Sequence, residues 1–303
     1  MQLTEPQRRT LEQLIGTGER PVFPGELAQR LRDRIEGAVR ELELPEPLWL
    51  GKEKLNDRAR CEGTLAAKLL GEAPPFAHSR ASAAGVLQHR AIEVIVGSRD
   101  EVDPHTAAQV AASRTLEREE RFQEYWAGLA PSDQDDILME VVTRTILFEG
   151  SFPSLRELRR ELAPATEVPL RAELLGGALV LSGKVDLLLG TPDRLEPQRA
   201  TRMAIDLKTG SAHGEYVEDN RFYGLLLTLR FGVPPYRVAS FFLEGGTWQH
   251  EDVNDDVLFR AADRVVQTAR SAAALQAGRE PELTPGVWCS WCPRAATCPV
   301  AEV

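Results

Sequence analysis

Twice between Val168 and Leu243, charged residues stand inside apolar runs, and this stretch constrains the fold more than any other part of the chain. Val168–Leu174, Leu179–Leu189 and Met203–Leu207 are rich in Val, Ile and Leu and bounded by Gly and Pro, which predicts three strands. An amphipathic helix is predicted at about 216–231, followed by a strand at Val238–Leu243. Three strands, a helix and a further strand in that order require an α/β core. The flanks read as helices. Residues 1–47 carry short ones, with Thr4 and Pro24 near their starts and Leu27, Leu31, Ile35 and Val39 at helical spacing. Another starts near Cys61, and one over Ser82–Val96 carries His89. From 104 to 162 the pattern is helical and charge-rich, broken by Pro131, Gly150, Pro153 and Pro164, and a long helix covers about 253–277.

The charges inside the strands need a reason. Asp186 lies in Ser182-Gly-Lys-Val-Asp186, and Asp206 and Lys208 lie in Ala204-Ile-Asp206-Leu-Lys208. Side chains of a strand alternate with a period of two, so Asp206 and Lys208 share a face. The loop between the two strands holds Pro and Gly, so the strands can pair and bring Asp186 to that face. Burying such charges unpaired costs several kcal/mol, and a core does not choose it. Metal-dependent hydrolysis does: two carboxylates bind Mg²⁺ or Mn²⁺ through oxygen, and an adjacent ammonium favours the deprotonated form of an attacking water. An isolated D-x-K triplet also serves as a surface ion pair; the Gly-x-x-Asp about twenty residues upstream is what favours the site.

His89 followed by Asp186, Asp206 and Lys208 resembles the motif series of the PD-(D/E)xK nuclease superfamily, in its RecB-like branch. That branch includes the nuclease domains of RecB and AddB and the iron–sulfur exonucleases of CRISPR adaptation. The resemblance runs from about Leu55 to Cys298. It implies a restriction-endonuclease-like α/β core, a central mixed sheet flanked by helices. The expected organisation is an N-terminal helical region at 1–54 and a nuclease domain at 55–303, with a helical insertion at about 104–162 and a tail at 285–303. It further implies that Asp186 and Asp206 hold Mg²⁺ or Mn²⁺, that His89 assists as a ligand, and that Lys208 serves the water. The family follows with a Gln-x-x-x-Tyr helix that positions DNA. Here Tyr223 fits, Asp219 stands at the glutamine position, and Arg221 between them offers a phosphate contact.

Four cysteines complete the pattern: Cys61, and the C-x2-C-x5-C of Cys289, Cys292 and Cys298. A zinc ribbon would place two C-x-x-C knuckles in one small module. One remote cysteine with a C-terminal trio instead resembles the AddB-type staple, in which four thiolates ligate a [4Fe–4S] cluster. Zinc, or no metal, is the alternative. Trp288 and Trp291 beside Cys289 are expected to pack the tail rather than stack on bases. Gly177–Lys184 is not a phosphate-binding loop, because its spacing is one residue too long and Val185 stands where Ser or Thr is needed.

A net charge of −10 argues against nonspecific coating of nucleic acid, although Lys52, Lys54, Arg58 and Arg60 gather ahead of Cys61. That cluster reads equally as part of a DNA groove or as a solvated face. The N-terminal residues lack the apolar stretch of a signal peptide, and no run spans a bilayer, so a cytoplasmic protein without membrane contact is expected. The expected activity is a Mg²⁺/Mn²⁺-dependent deoxyribonuclease, an exonuclease on single strands or DNA ends. Repair, CRISPR adaptation or mobile-element defence would be its setting, and a separate helicase or integrase-type protein its partner. The rival reading is a non-catalytic nucleic-acid-binding module of the same fold with a vestigial metal site.

Overall fold

The alternation of short helices and strands resolves, in the computed structural model, into a six-stranded mixed sheet between helical layers; residues 3–16, 18–44, 46–210 and 213–302 are described. The chain begins with α1 (Glu5–Ile15), α2 (Leu27–Val39), β1 (Leu48–Leu50), α3 (Lys52–Arg60), α4 (Glu62–Leu69) and α5 (Arg80–Gly97). Then come α6 (Pro104–Arg118), α7 (Glu120–Ala127), α8 (Pro131–Ser151), α9 (Arg159–Leu162), β2 (Ala165–Leu174), β3 (Leu179–Leu189) and β4 (Met203–Lys208). The last elements are α10 (Glu215–Phe231), β5 (Arg237–Phe242), β6 (Thr247–Asp252) and α11 (Asp255–Gln276). No helix among the described residues is long and apolar enough to cross a membrane.

Local chemistry explains the helix starts. Thr4 and Gln7 form a reciprocal capping box on α1, with Gln7 N–H donating to Thr4 Oγ1 at 3.3 Å and Thr4 N–H to Gln7 Oε1 at 3.0 Å. Asp103 caps α6 by its side chain alone, accepting from Thr106 N–H at 3.0 Å just before Pro104. On α2 the buried residues are Leu27, Leu31, Ile35 and Val39, one stripe at helical spacing.

The sheet runs β1-β3-β4-β5-β6, with β2 antiparallel to β3 along its whole length. β4 and β5 are parallel and need a crossover, which α10 supplies. α10 packs on β5 and against α11, and α11 packs on α2. The sequence pattern suggested that α10 is amphipathic; it is instead buried on all sides over Phe222–Thr228, because it is wedged between sheet and helices. Three elements carried no sequence signal. β1 is three residues long, β6 is the polar run Thr-Trp-Gln-His-Glu-Asp at a sheet edge, and α3 has only Leu55, Asn56 and Asp57 buried.

Two large apolar cores result, beside a small cluster of Leu65, Ala66 and Leu275. The larger joins the sheet to α2, α10 and α11. The smaller lies within α5–α8, around Leu87, Ala111, Phe122, Trp126, Ile137 and Val141. α5 belongs to both, since Leu87 and Ala91 enter the smaller core and Ile92 and Val96 the larger.

Candidate active site

The candidate site is built where β3 changes neighbours. On one edge β3 pairs with β2 throughout; on the other, β1 takes Leu179–Leu181 and β4 takes Leu187–Leu189. Ser182–Asp186 therefore has a strand partner on the β2 side alone, among the described residues, and a cleft opens there. Gly183 lets α10 close over this stretch: a β-carbon at Gly183 would lie 3.0 Å from Tyr223 Cε1 and 3.1 Å from Leu226 Cδ1. The cleft, about 360 Å³, is lined by Lys52, Lys54, Ser182, Lys184, Asp186 and Tyr223, among others.

Asp186, Asp206, Lys208 and His89, expected from sequence, stand here with two residues that sequence reasoning missed. Asp186 Oδ2 accepts the Leu207 N–H at 2.8 Å, which fixes the carboxylate, and its Oδ1 lies 3.3 Å from His89 Nδ1. His89 Nδ1 is also 3.7 Å from Glu167 Oε1, and Glu167 is ion-paired with Lys184. Asp206 is paired with Lys208, and Lys52 Nζ is 3.5 Å from its Oδ1. Asp219 Oδ2 lies 3.9 Å from both lysines, while its Oδ1 accepts from Asn56 Nδ2 at 2.9 Å. Lys52 was visible only as part of a basic cluster, and the structure disperses that cluster. Lys54 donates to Trp49 O at 2.8 Å, Arg58 to Gln267 at 3.1 Å, and Arg60 forks onto Glu215. For Glu167 the sequence held no signal.

Charge is tightly arranged. Burial raises Asp206, helped by the charge of Asp186 and opposed by Lys52 and Lys208; the net shift is upward. Burial also works against ionised Asp186, but His89, the Leu207 amide and Lys52 outweigh it and hold this carboxyl low. His89 is pushed up to about 10, because Asp186 and Glu167 overcome the burial that disfavours its charge. The same two-sided contest leaves Glu167 below its ordinary value, with His89 and Lys184 as the stabilising partners.

Of the three residues expected to position DNA, two face the site. Asp219 and Tyr223 are four apart on α10 and share a face. Tyr223 is 4% exposed, which leaves no ring face for a base, and burial first among several causes raises its hydroxyl pKa. Lys52 Nζ sits 5.2 Å from its ring centroid. Arg221 is not brought to this group. Two residues beyond Asp219 it points away, and its guanidinium forks onto Glu251 at 2.7 Å and reaches Glu218 at 2.6 Å.

The donor set suits a divalent cation. The ligand atoms of His89, Glu167 and Asp186 all lie within 4.8 Å of one another, and no other trio of His, Cys, Asp or Glu among the described residues does so. One nitrogen and two carboxylate oxygens match what Mn²⁺ or Mg²⁺ accepts.

The cysteines meet elsewhere. Cys61, at the junction of α3 and α4, lines a cavity of about 440 Å³ together with Cys289, Cys292 and Cys298. The tail carrying the trio makes short 3-10 turns at Val287–Trp291 and Ala295–Thr297. Two ion pairs dock it: Arg279 onto Glu62 at 2.8 Å, and Arg294 onto Glu72 at 2.6 Å. Trp288 packs within the tail, donating to Thr284 O at 2.8 Å. Trp291 does not; it is 58% exposed.

Solved structures to which the chain is similar include a Eubacterium rectale protein provisionally named an exonuclease, at 14% identity and a TM-score of 0.48, covering 84% of this chain and 90% of that one. SSO0001 is another, at 12% identity and a TM-score of 0.35, covering 90% of this chain and 95% of that one. No curated protein matches. The family model of the PD-(D/E)XK nuclease superfamily matches residues 53–299, which takes in every residue of the candidate site but Lys52. This chain belongs to the PD-(D/E)XK nuclease superfamily.

Proposed function

We propose that this chain is a Mg²⁺- or Mn²⁺-dependent deoxyribonuclease of the RecB/AddB-like branch, acting on single strands or DNA ends. The observation that carries it is the meeting of Asp186 on β3, Asp206 and Lys208 on the neighbouring β4, and His89 on the distant α5, beside the cleft that Asp186 lines. Asp186, Asp206 and His89 would hold the ion, which supplies Lewis-acid polarisation of the scissile phosphate. The rest falls to the chain's own groups. Lys208, beside Asp206, favours the deprotonated form of the attacking water. Lys52 and Lys184 line the cleft and offset phosphate charge. The Leu207 amide holds Asp186 in one orientation, which spares the site that reorganisation during reaction. Tyr223 and Asp219 act on substrate through Lys52, and Arg221 anchors α10 to β6 through Glu251.

A [4Fe–4S] cluster bound by Cys61, Cys289, Cys292 and Cys298 is part of this reading. All four thiols line one cavity. No three of their sulfurs all lie within 4.8 Å of one another. Sulfurs around a single tetrahedral zinc would be about 3.8 Å apart, as Zn–S bonds of about 2.3 Å dictate. A cytoplasmic setting in repair, CRISPR adaptation or mobile-element defence, with a helicase or integrase-type partner, completes the proposal.

Asp219 at the glutamine position favours a second reading, a DNA-binding module that does not cleave. Labelled single- and double-stranded DNA incubated with Mg²⁺ or Mn²⁺ separates the two. The parent should cleave, and Asp206→Ala and Lys208→Ala should each lose at least about a thousandfold in rate while still binding DNA. Cleavage by Asp206→Ala at the parental rate would remove this site assignment.

A further inference from the structure

Glu167 stands in β2 between the pairs Thr166–Leu187 and Val168–Val185, so it faces Asp186 across the ladder. On the other side of β3, the pair Leu187–Ile205 brings Asp206 to the same level. Glu167, Asp186 and Asp206 therefore form a row of carboxylates across three adjacent strands. Like charges directly opposite in a sheet repel, and such a row persists only with cations set into it. Around Asp206 the cations are Lys52 and Lys208. Around Glu167 they are His89 and Lys184.

The backbone at Glu167 is also unusual. Its φ is +52°, a left-handed conformation in the middle of a strand, at a residue with a side chain. That conformation is unfavourable for any residue with a side chain, so something must hold it. Its side chain is 11% exposed, with the carboxylate turned in toward His89 and Asp186. Lys184 alone could be reached from an ordinary strand conformation by an exposed glutamate, so it does not account for this inward turn.

We infer that Glu167 is a ligand of the metal centre: His89, Glu167 and Asp186 form a cation position on the β2 side of Asp186, so that Asp186 is shared between it and the Asp206 side. The imidazole nitrogen gives this position a preference for Mn²⁺ over Mg²⁺. In its absence His89 and Lys184 supply the compensating charge. Nothing here depends on cleavage; only the use made of the ion rests on the proposed nuclease reading.

Mn²⁺ titration of the full chain without DNA, followed by the electron paramagnetic resonance of free Mn²⁺, tests the inference. Glu167→Gln keeps size and one acceptor oxygen but removes the charge and turns the other oxygen into a donor, and should weaken Mn²⁺ binding by at least about tenfold. Lys184→Met frees Glu167 from a competing cation and should tighten binding, which covers the case of a poorly folded Glu167→Gln. Mn²⁺ affinity within twofold of the parent in folded Glu167→Gln, or no tightening in folded Lys184→Met, overturns the assignment. Mn²⁺ binding that depends on Glu167 in a protein that cleaves no DNA would sink the nuclease reading and leave this one intact. Cleavage with Glu167-independent Mn²⁺ binding would do the reverse.

Discussion

Lys52 and Lys208 set two ammonium groups against Asp206, and only Lys208 belongs to a motif. Lys208 is two residues from its partner on one strand, so a period of two exposes the pair at once. Lys52 reaches Asp206 across 154 positions of chain, and no local pattern reports where α3 docks. The same periodic reasoning, applied at 3.6, separates Asp219 and Tyr223 from Arg221, which lies on the opposite side of α10. Motif spacing placed all three together; helical geometry does not. Lys52 is 31% exposed and borders the cleft, whereas Lys208 is more enclosed at 13%, so Lys52 is the ammonium a phosphate can draw away. Lys52→Met should accordingly slow cleavage by about tenfold, and the salt dependence of DNA binding should lose about one phosphate contact in slope. Unchanged rate and slope would make Lys52 a structural partner of Asp206 and no more.

At the scale of elements, α5 decides how well His89 is held. The histidine stands between residues committed to two different cores, so packing inside α6–α8 reaches the site through one helix. Ile137 on α8 is fully buried in the smaller core. Ile137→Ala should cost about 2–5 kcal/mol of stability. It should also speed hydrogen exchange along α5 near His89; exchange confined to α8 would mean that α6–α8 do not buttress the site. A pH effect belongs to the same region. Burial, with the charges of Glu101 and Asp103, holds Glu149 above its ordinary value of 4.5. A carboxyl raised on folding favours the native state below its unfolded pKa, and that contribution is lost as pH rises through the folded value. Glu149→Gln should therefore melt higher than the parent at pH 7, and the difference should vanish near pH 3.5 in thermal scans. The helical character of 104–162 was legible because its apolar spacing is regular. β6 was not, since an edge strand with polar residues on both faces has no alternation to read.

For the whole molecule, the cysteine cavity ties the front of the chain to its end. The trio was legible from spacing, and Cys61 followed as the one thiol left over; what sequence could not supply was the pair of ion bridges from Glu62 and Glu72 that dock the tail beside it. Cys61 and Cys289 are 228 residues apart. If a cluster joins them as a disulfide would, the closed loop restricts the unfolded chain by roughly 5 kcal/mol. Purified without oxygen, the protein should be brown and contain iron and sulfide in matching amounts. Cys61→Ala should lose the colour and melt earlier, whereas stoichiometric zinc in a colourless parent would replace the cluster with another staple. The same cavity also sets an order of events during synthesis. At about 5–20 residues per second, Cys61 leaves the ribosome roughly 10–50 seconds before Cys289 is made. His89, Asp186, Asp206 and Lys208 all emerge within that interval, so the cleft can assemble while its clasp is still open. A nascent chain thus presents a lone thiol at the foot of α4 for as long as the rest takes to arrive, and a cluster of the kind proposed can close the clasp only after that.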